Sequence, residues 1–143
     1  LRPSSEYQLH TEIYKTRSDI TAVIHTHSKY AIAYASVGKE IPVSNLEIFA
    51  AGGPIPVAPF ATPGTKEVGI YAAKYFSNNY RLKSLLMQNH GMVAIGETLN
   101  NAYINAHNTE IGAEINFIAL QLGKEIKVLS EKQINEIREI YQK

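Results

Sequence analysis

Leu85-Leu86-Met87-Gln88-Asn89-His90-Gly91-Met92-Val93-Ala94-Ile95-Gly96 is the stretch whose reading decides the fold. Two short apolar runs, Leu85 to Met87 and Met92 to Ile95, flank Gln88-Asn89-His90-Gly91, and the pattern predicts two strands joined through those four residues. Gly96 ends the second strand, and Thr98 is placed to cap a long helix running to Leu122, with Gly123 as its stop. Leu99, Ala102, Tyr103, Ala106, Ala113, Phe117 and Leu120 are the expected apolar stripe of that helix. Val128 begins a last unit, in which Ser130 and Gln133 form a capping box for a helix to about Gln142.

Upstream, Thr62-Pro63-Gly64-Thr65 reads as a turn into a helix from Lys66 to about Ser77. Most of the prolines and the pair Gly52-Gly53 fall in 41–64, where short strands and turns are expected, Ile55 to Ala58 being the best strand. Thr21 to Thr26 is rich in β-branched residues and reads as a strand, followed by a helix from about Lys29 to Val37 stopped at Gly38. Ser5 and Gln8 fit a capping box for a first helix near Glu6, with Glu6, Leu9, His10, Ile13 and Arg17 on one face. Strands alternate with helices through uneven connections, which predicts a helix-covered sheet with mixed rather than purely parallel strands.

The chain has 143 residues, 45% apolar and 19% charged, which fits one globular domain. A net charge of +1 gives no electrostatic case for nucleic acid or membrane binding. With no cysteine, any metal must be held by His and carboxylates. Residue one is Leu, not Met, so an N-terminal part is expected to be missing.

His25-Thr26-His27 is the sharpest local signal. Residues two apart on a strand project from the same face, so the two imidazoles are spaced to chelate a metal. The plain alternative is a pair of half-buried histidines bonded to backbone. Given that pair, His90 is the natural third ligand, since Gly91 behind it allows a tight turn that presents the ring; the plain alternative is a turn histidine bonded to its own loop. Glu6, in the first helical turn, is either an ordinary acid at a helix start or a general base beside a metal. Ser4 and Ser5 are either caps or part of a phosphate site. His10 reads as a buried histidine near the site before a fifth metal ligand, and Glu110, three residues after His107 on the long helix, as a buried, hydrogen-bonded acid before one that supports the site.

Pro3-Ser4-Ser5-Glu6, His25-x-His27, Ala50-Ala51-Gly52-Gly53, Ile55-Pro56-Val57-Ala58-Pro59, Ala61-Thr62-Pro63-Gly64-Thr65 and Gln88-Asn89-His90-Gly91, in that order, resemble the class II aldolase family. That family includes L-fuculose-phosphate aldolase and L-ribulose-5-phosphate 4-epimerase, and the likeness covers essentially the whole chain. It implies an α/β fold, a three-layer α-β-α arrangement with a mixed, largely antiparallel central sheet. It also implies that residues 1–143 form a single class II aldolase-type domain lacking its N-terminal part. The resemblance places one Zn2+ per subunit on His25, His27 and His90, with Glu6 touching the metal in the resting enzyme and serving as acid and base. Ser4 and Ser5 would help bind the substrate phosphate.

The implied reaction is cleavage of a ketose 1-phosphate, similar to L-fuculose 1-phosphate, into dihydroxyacetone phosphate and an aldehyde through a metal-stabilised enediolate. Epimerases of the family typically have Asp at the Glu6 position, so Glu6 points to the aldolase branch. A pentulose-phosphate 4-epimerase, a related sugar-phosphate lyase or dehydratase, and a noncatalytic binding domain of the same fold are the alternatives. The implied partners are a small sugar phosphate and further copies of the chain in a homotetramer, with no nucleic acid and no membrane, in the cytoplasm.

Overall fold

A computed structural model describes residues 2–123 and 125–141. In chain order its elements are α1 (Tyr7–Tyr14), β1 (Ala22–Thr26), α2 (Lys29–Ser36), α3 (Leu46–Ala50), β2 (Val57–Ala58), α4 (Lys66–Asn78), β3 (Ser84–Met87), β4 (Gly91–Gly96), α5 (Leu99–Leu122) and α6 (Glu131–Tyr141). The stretch from 85 to 96 forms the expected hairpin: β3 and β4 pair antiparallel with Met87 opposite Gly91. β1 pairs antiparallel along the other edge of β4, and β2 adds parallel to β3, giving the order β1-β4-β3-β2. The sheet is therefore mixed and largely antiparallel.

Because successive strand residues point to opposite faces, the sheet divides its core in two. On one face Val23, Leu85, Val93 and Ile95 pack with Leu9 and Ile13 of α1 and Val68, Ala72 and Phe76 of α4. On the other face Leu86, Met92 and Ala94 pack with Ala31 and Ala35 of α2, Ile48 of α3 and Ala106 and Ala113 of α5. That is the three-layer α-β-α arrangement. A fully buried side chain such as Phe76 or Leu85 contributes about 1.5–3 kcal/mol relative to exposure. The two helices of the first layer touch closely: a Cβ at Gly69 of α4 would lie 2.6 Å from the Gln8 carbonyl of α1. This contact lays α1 down against the sheet and sets where its N-terminal end falls.

Several local expectations differ from the structure. The Ser5–Gln8 capping box does not form; α1 starts at Tyr7 with Glu6 in the cap position, and the Ser4 Oγ accepts from the Glu6 N–H at 3.2 Å. Within 41–64 the chain makes α3, capped by the Asn45 side chain accepting from the Ile48 N–H, where only strands and turns were expected. Ile41 and Ile55 form only an isolated bridge, and the regular strand is Val57–Ala58. The stripe expected for α5 holds only at its alanines, Ala102, Ala106 and Ala113. Leu99, Tyr103, Phe117 and Leu120 are exposed, while Ala102, Asn105, Ala106, Thr109, Gly112, Ala113 and Asn116 are buried. Small and amide side chains bring α5 against the sheet, where the Asn105 Nδ2 donates to the Ile95 carbonyl at 2.8 Å.

Other signals match. Thr98 caps α5 by accepting from the Asn101 N–H, and Ser130 and Gln133 form their capping box. Gly38 ends α2 with φ +65°. Gln142 lies outside the described residues. Among the described residues no helix is long and apolar enough to cross a membrane.

Candidate metal centre

Position 25 shares the parity of Val23, so His25 projects from the α1 side of the sheet, and His27 follows on that side beyond the end of β1. His90 comes from the β3–β4 turn, which meets the same end of β1 because Thr26 is opposite Met92. The three rings converge, with centroid separations of 5.0 Å (His25–His27), 4.9 Å (His25–His90) and 5.3 Å (His27–His90). One ring nitrogen from each lies within 4.8 Å of the others. His90 is buried, His25 half-buried and His27 exposed, so the cluster opens to solvent along one side.

The turn works differently from its expected form. The left-handed residue is Asn89, with φ 55°, not Gly91. Gly91 serves by having no side chain: a Cβ there would lie 2.6 Å from the Thr26 carbonyl, 2.9 Å from His27 Cδ2 and 3.1 Å from His25 Cε1. The space that a residue on β4 would fill is the space the imidazoles occupy.

Electrostatics prepare the rings for a cation. His25 Nδ1 is 2.8 Å from the Met92 carbonyl, which can only accept, so Nδ1 carries the proton and Nε2 keeps a lone pair. That Nε2 is buried without a hydrogen-bond partner. Burial pushes the His25 and His90 pKa values down, against the opposing pull of Glu6 on both and of the Met92 carbonyl on His25. The shift favours the neutral form of both rings, the form that metal ligation requires.

Glu6 enters from the start of α1, its Oε2 4.0 Å from His90 Nε2. That is too long for a hydrogen bond, and Oε2 too is buried with no partner. Orphaned buried acceptors cost about 1–3 kcal/mol each. A divalent cation ligated by nitrogen and oxygen would satisfy both, and zinc takes this donor set. The residues present fit the metal that the sequence pattern implies. Ser4 and Ser5 lie exposed just before Glu6. His10, whose pKa burial also lowers, is outside the ligand cluster.

Residues 1–117 match the family described as Class II Aldolase and Adducin N-terminal domain. The chain belongs to this class II aldolase family. It is 36% identical over 133 residues to L-fuculose phosphate aldolase of Escherichia coli K12, covering 92% of this chain and 60% of that protein. It is 35% identical over 136 residues to 5-deoxy-D-ribulose 1-phosphate aldolase of Bacillus thuringiensis, covering 95% and 62%. A solved structure of L-fuculose 1-phosphate aldolase superposes with a TM-score of 0.88 at 34% identity, covering 99% of this chain and 65% of that one. The chain thus spans less than two thirds of the length of these relatives.

Two further acceptors lie around the cluster: the Met92 carbonyl, which the sequence did not mark, and Glu110, which is hydrogen-bonded as expected but half-buried and with distant partners. The Met92 carbonyl fixes the His25 tautomer, and no side-chain pattern could have marked a backbone acceptor. Glu110 pairs not with its helix neighbour His107, which stacks on Tyr103, but with the N–H groups of Tyr30 and Ala31. Its position on an apolar face was the available signal, but the partner lies 80 residues away in sequence.

Proposed function

We propose that this member of the class II aldolase family is a zinc-dependent carbon–carbon lyase that cleaves a ketose 1-phosphate, similar to L-fuculose 1-phosphate, into dihydroxyacetone phosphate and an aldehyde. The observation that carries this reading is the meeting of three imidazoles with an orphaned carboxylate oxygen. The substrate class rests on the relatives, which are aldolases of L-fuculose phosphate and 5-deoxy-D-ribulose 1-phosphate.

In this reading His25, His27 and His90 hold one Zn2+ per subunit through their neutral nitrogens, with Glu6 as a further ligand in the resting state. Zinc bound there supplies Lewis-acid stabilisation of the charge that develops on the substrate oxygens. Glu6 moves the proton at the substrate carbon, delivering it in cleavage and removing it in condensation. Its surroundings suit that task, since its Oε2 is buried beside His90 with no hydrogen-bond donor occupying it. Ser4 and Ser5, at the positive end of α1, take the substrate phosphate. The Ser4 oxygen already accepts from the Glu6 N–H, so its own proton remains free to donate. Exposed Leu99, Tyr103, Phe117, Ile118 and Leu122 on α5 support a subunit contact in a homotetramer, which sedimentation would measure. A cytoplasmic location belongs to the same proposal.

Elemental analysis of the full-length protein, combined with a cleavage assay on L-fuculose 1-phosphate and 5-deoxy-D-ribulose 1-phosphate, tests the reading. Bound zinc and released dihydroxyacetone phosphate are the expected results. A zinc protein that interconverts pentulose 5-phosphates without releasing that product would be an epimerase. A protein that binds no metal would be a binding domain.

A further inference from the structure

The three imidazoles are not fixed in equivalent ways. His25 is tied to β4 through its Nδ1 contact with the Met92 carbonyl. His90 is buried in a turn closed by its own N–H on the Met87 carbonyl at 3.1 Å. His27 lies past the last residue of β1, exposed, and its ring has no such anchor among the described residues. Its place is set by the backbone on either side of it, where the chain leaves β1 and turns at once into α2.

The first turn of a helix presents N–H groups with no partner inside the helix. Ser28, the residue before α2, is of the type that supplies one, yet it makes no cap bond. Its hydroxyl is instead 2.6 Å from the Thr26 Oγ1, bracketing His27. The cap comes from the middle of α5. The Glu110 Oε1 accepts from the Tyr30 N–H at 2.9 Å, and the Oε2 accepts from the Tyr30 and Ala31 N–H groups at 3.1 and 2.9 Å. A carboxylate there also complements the positive end of α2. α5 is in turn fastened to the sheet by Asn105 on the Ile95 carbonyl and by the Ser84 hydroxyl on the Asn105 carbonyl.

We infer that Glu110 is the positioning residue for His27: by capping α2 from a helix anchored on the sheet, it holds the outermost imidazole in register with the other two. The inference rests on the metal-site reading above. Glu110→Gln keeps the shape but loses the charge and one accepting oxygen, and sets an NH2 group against the Tyr30 N–H.

The test is zinc affinity of the full-length protein by competition with a chromophoric chelator, for the wild type, Glu110→Gln, His27→Ala and the double variant, alongside melts of the metal-free proteins. Zinc binding about 10- to 100-fold weaker in Glu110→Gln is expected, with little further loss when the change is added to His27→Ala. Unchanged affinity, or the same loss in both backgrounds, overturns the inference and leaves Glu110 a stabilising cap only. Should Glu110→Gln not fold, Glu110→Asp, which keeps the charge but shortens the reach, is put through the same cycle with the same expectation. A wild-type protein that binds no zinc sinks the metal-site reading and this inference together. A zinc-binding wild type with an indifferent Glu110 variant sinks this inference alone.

Discussion

Gly91 and His27 are packed so closely across the β1–β4 ladder that a Cβ at position 91 would stand 2.9 Å from the His27 Cδ2. The same atom would be 2.6 Å from the Thr26 carbonyl, a backbone group that cannot swing aside. Gly91→Ala is therefore expected to destabilise by about 1–3 kcal/mol, the usual cost of overpacking. By pushing β1 outward, and with it His25 and the His27 that follows it, it should also weaken zinc binding about 10- to 100-fold. Urea denaturation and chelator competition on the same variant check both; an unchanged zinc affinity would show that the imidazoles do not depend on that gap.

Glu6→Gln separates metal binding from proton transfer. The substitution keeps the size and removes the charge next to His90, while the three imidazoles remain. Exchange of the carbon-bound proton of dihydroxyacetone phosphate with solvent should fall by about 10²–10⁴-fold, the range for a positioned acid or base, with zinc content retained. Isotope exchange followed by NMR reads it. Exchange at the normal rate in Glu6→Gln would remove Glu6 from the proton-transfer role.

The histidines also set a pH dependence for the metal-free protein. Burial is the leading cause that holds His10, His25 and His90 below their ordinary value of 6.5. Between those depressed values and 6.5, the unfolded chain binds more protons than the folded one, so stability rises with pH across that window and levels off above it. Asp19, held down by Arg17, and Glu12, held down by Lys15, lose their contributions only below their ordinary values of 3.8 and 4.5, in a separate acid window. Urea midpoints measured from about pH 5 to 8 should therefore climb and then flatten. A midpoint that is constant or falls with rising pH would contradict buried, neutral imidazoles.

Much of this was legible because the chemistry is local to short segments. The hairpin from 85 to 96, the His25-x-His27 pair and the caps at Thr98 and Ser130 each follow from residues a few positions apart. What escaped was set by distant packing. α3 forms inside a Pro- and Gly-rich region because Asn45 caps it and Ile48 and Phe49 bury against α5 and the sheet. The buried face of α5 is small and amide-lined because amides such as Asn105 and Asn116 reach backbone carbonyls outside the helix, so of the expected stripe Ala102, Ala106 and Ala113 are buried while its larger members are exposed. Gly91 was visible as a glycine, but its reason is a steric gap between strands rather than a turn, which only the β1–β4 register reveals.

Asn89 tests that division of labour within the turn. It carries φ 55°, a left-handed conformation that costs an ordinary L residue about 1–2 kcal/mol and that Asn and Gly tolerate. The strain would be borne next to His90, whose N–H closes the turn on the Met87 carbonyl at 3.1 Å and whose ring is the most buried of the three. Asn89→Ala should lose about 1 kcal/mol and bind zinc more weakly, because a relaxed turn swings His90 away from His25. Asn89→Gly should keep zinc affinity, since glycine reaches the same φ freely, and should stay within about 0.5 kcal/mol of the wild type. Denaturation and chelator competition on the two variants give four numbers. If alanine and glycine behave alike in both assays, the left-handed residue at 89 is not what presents His90.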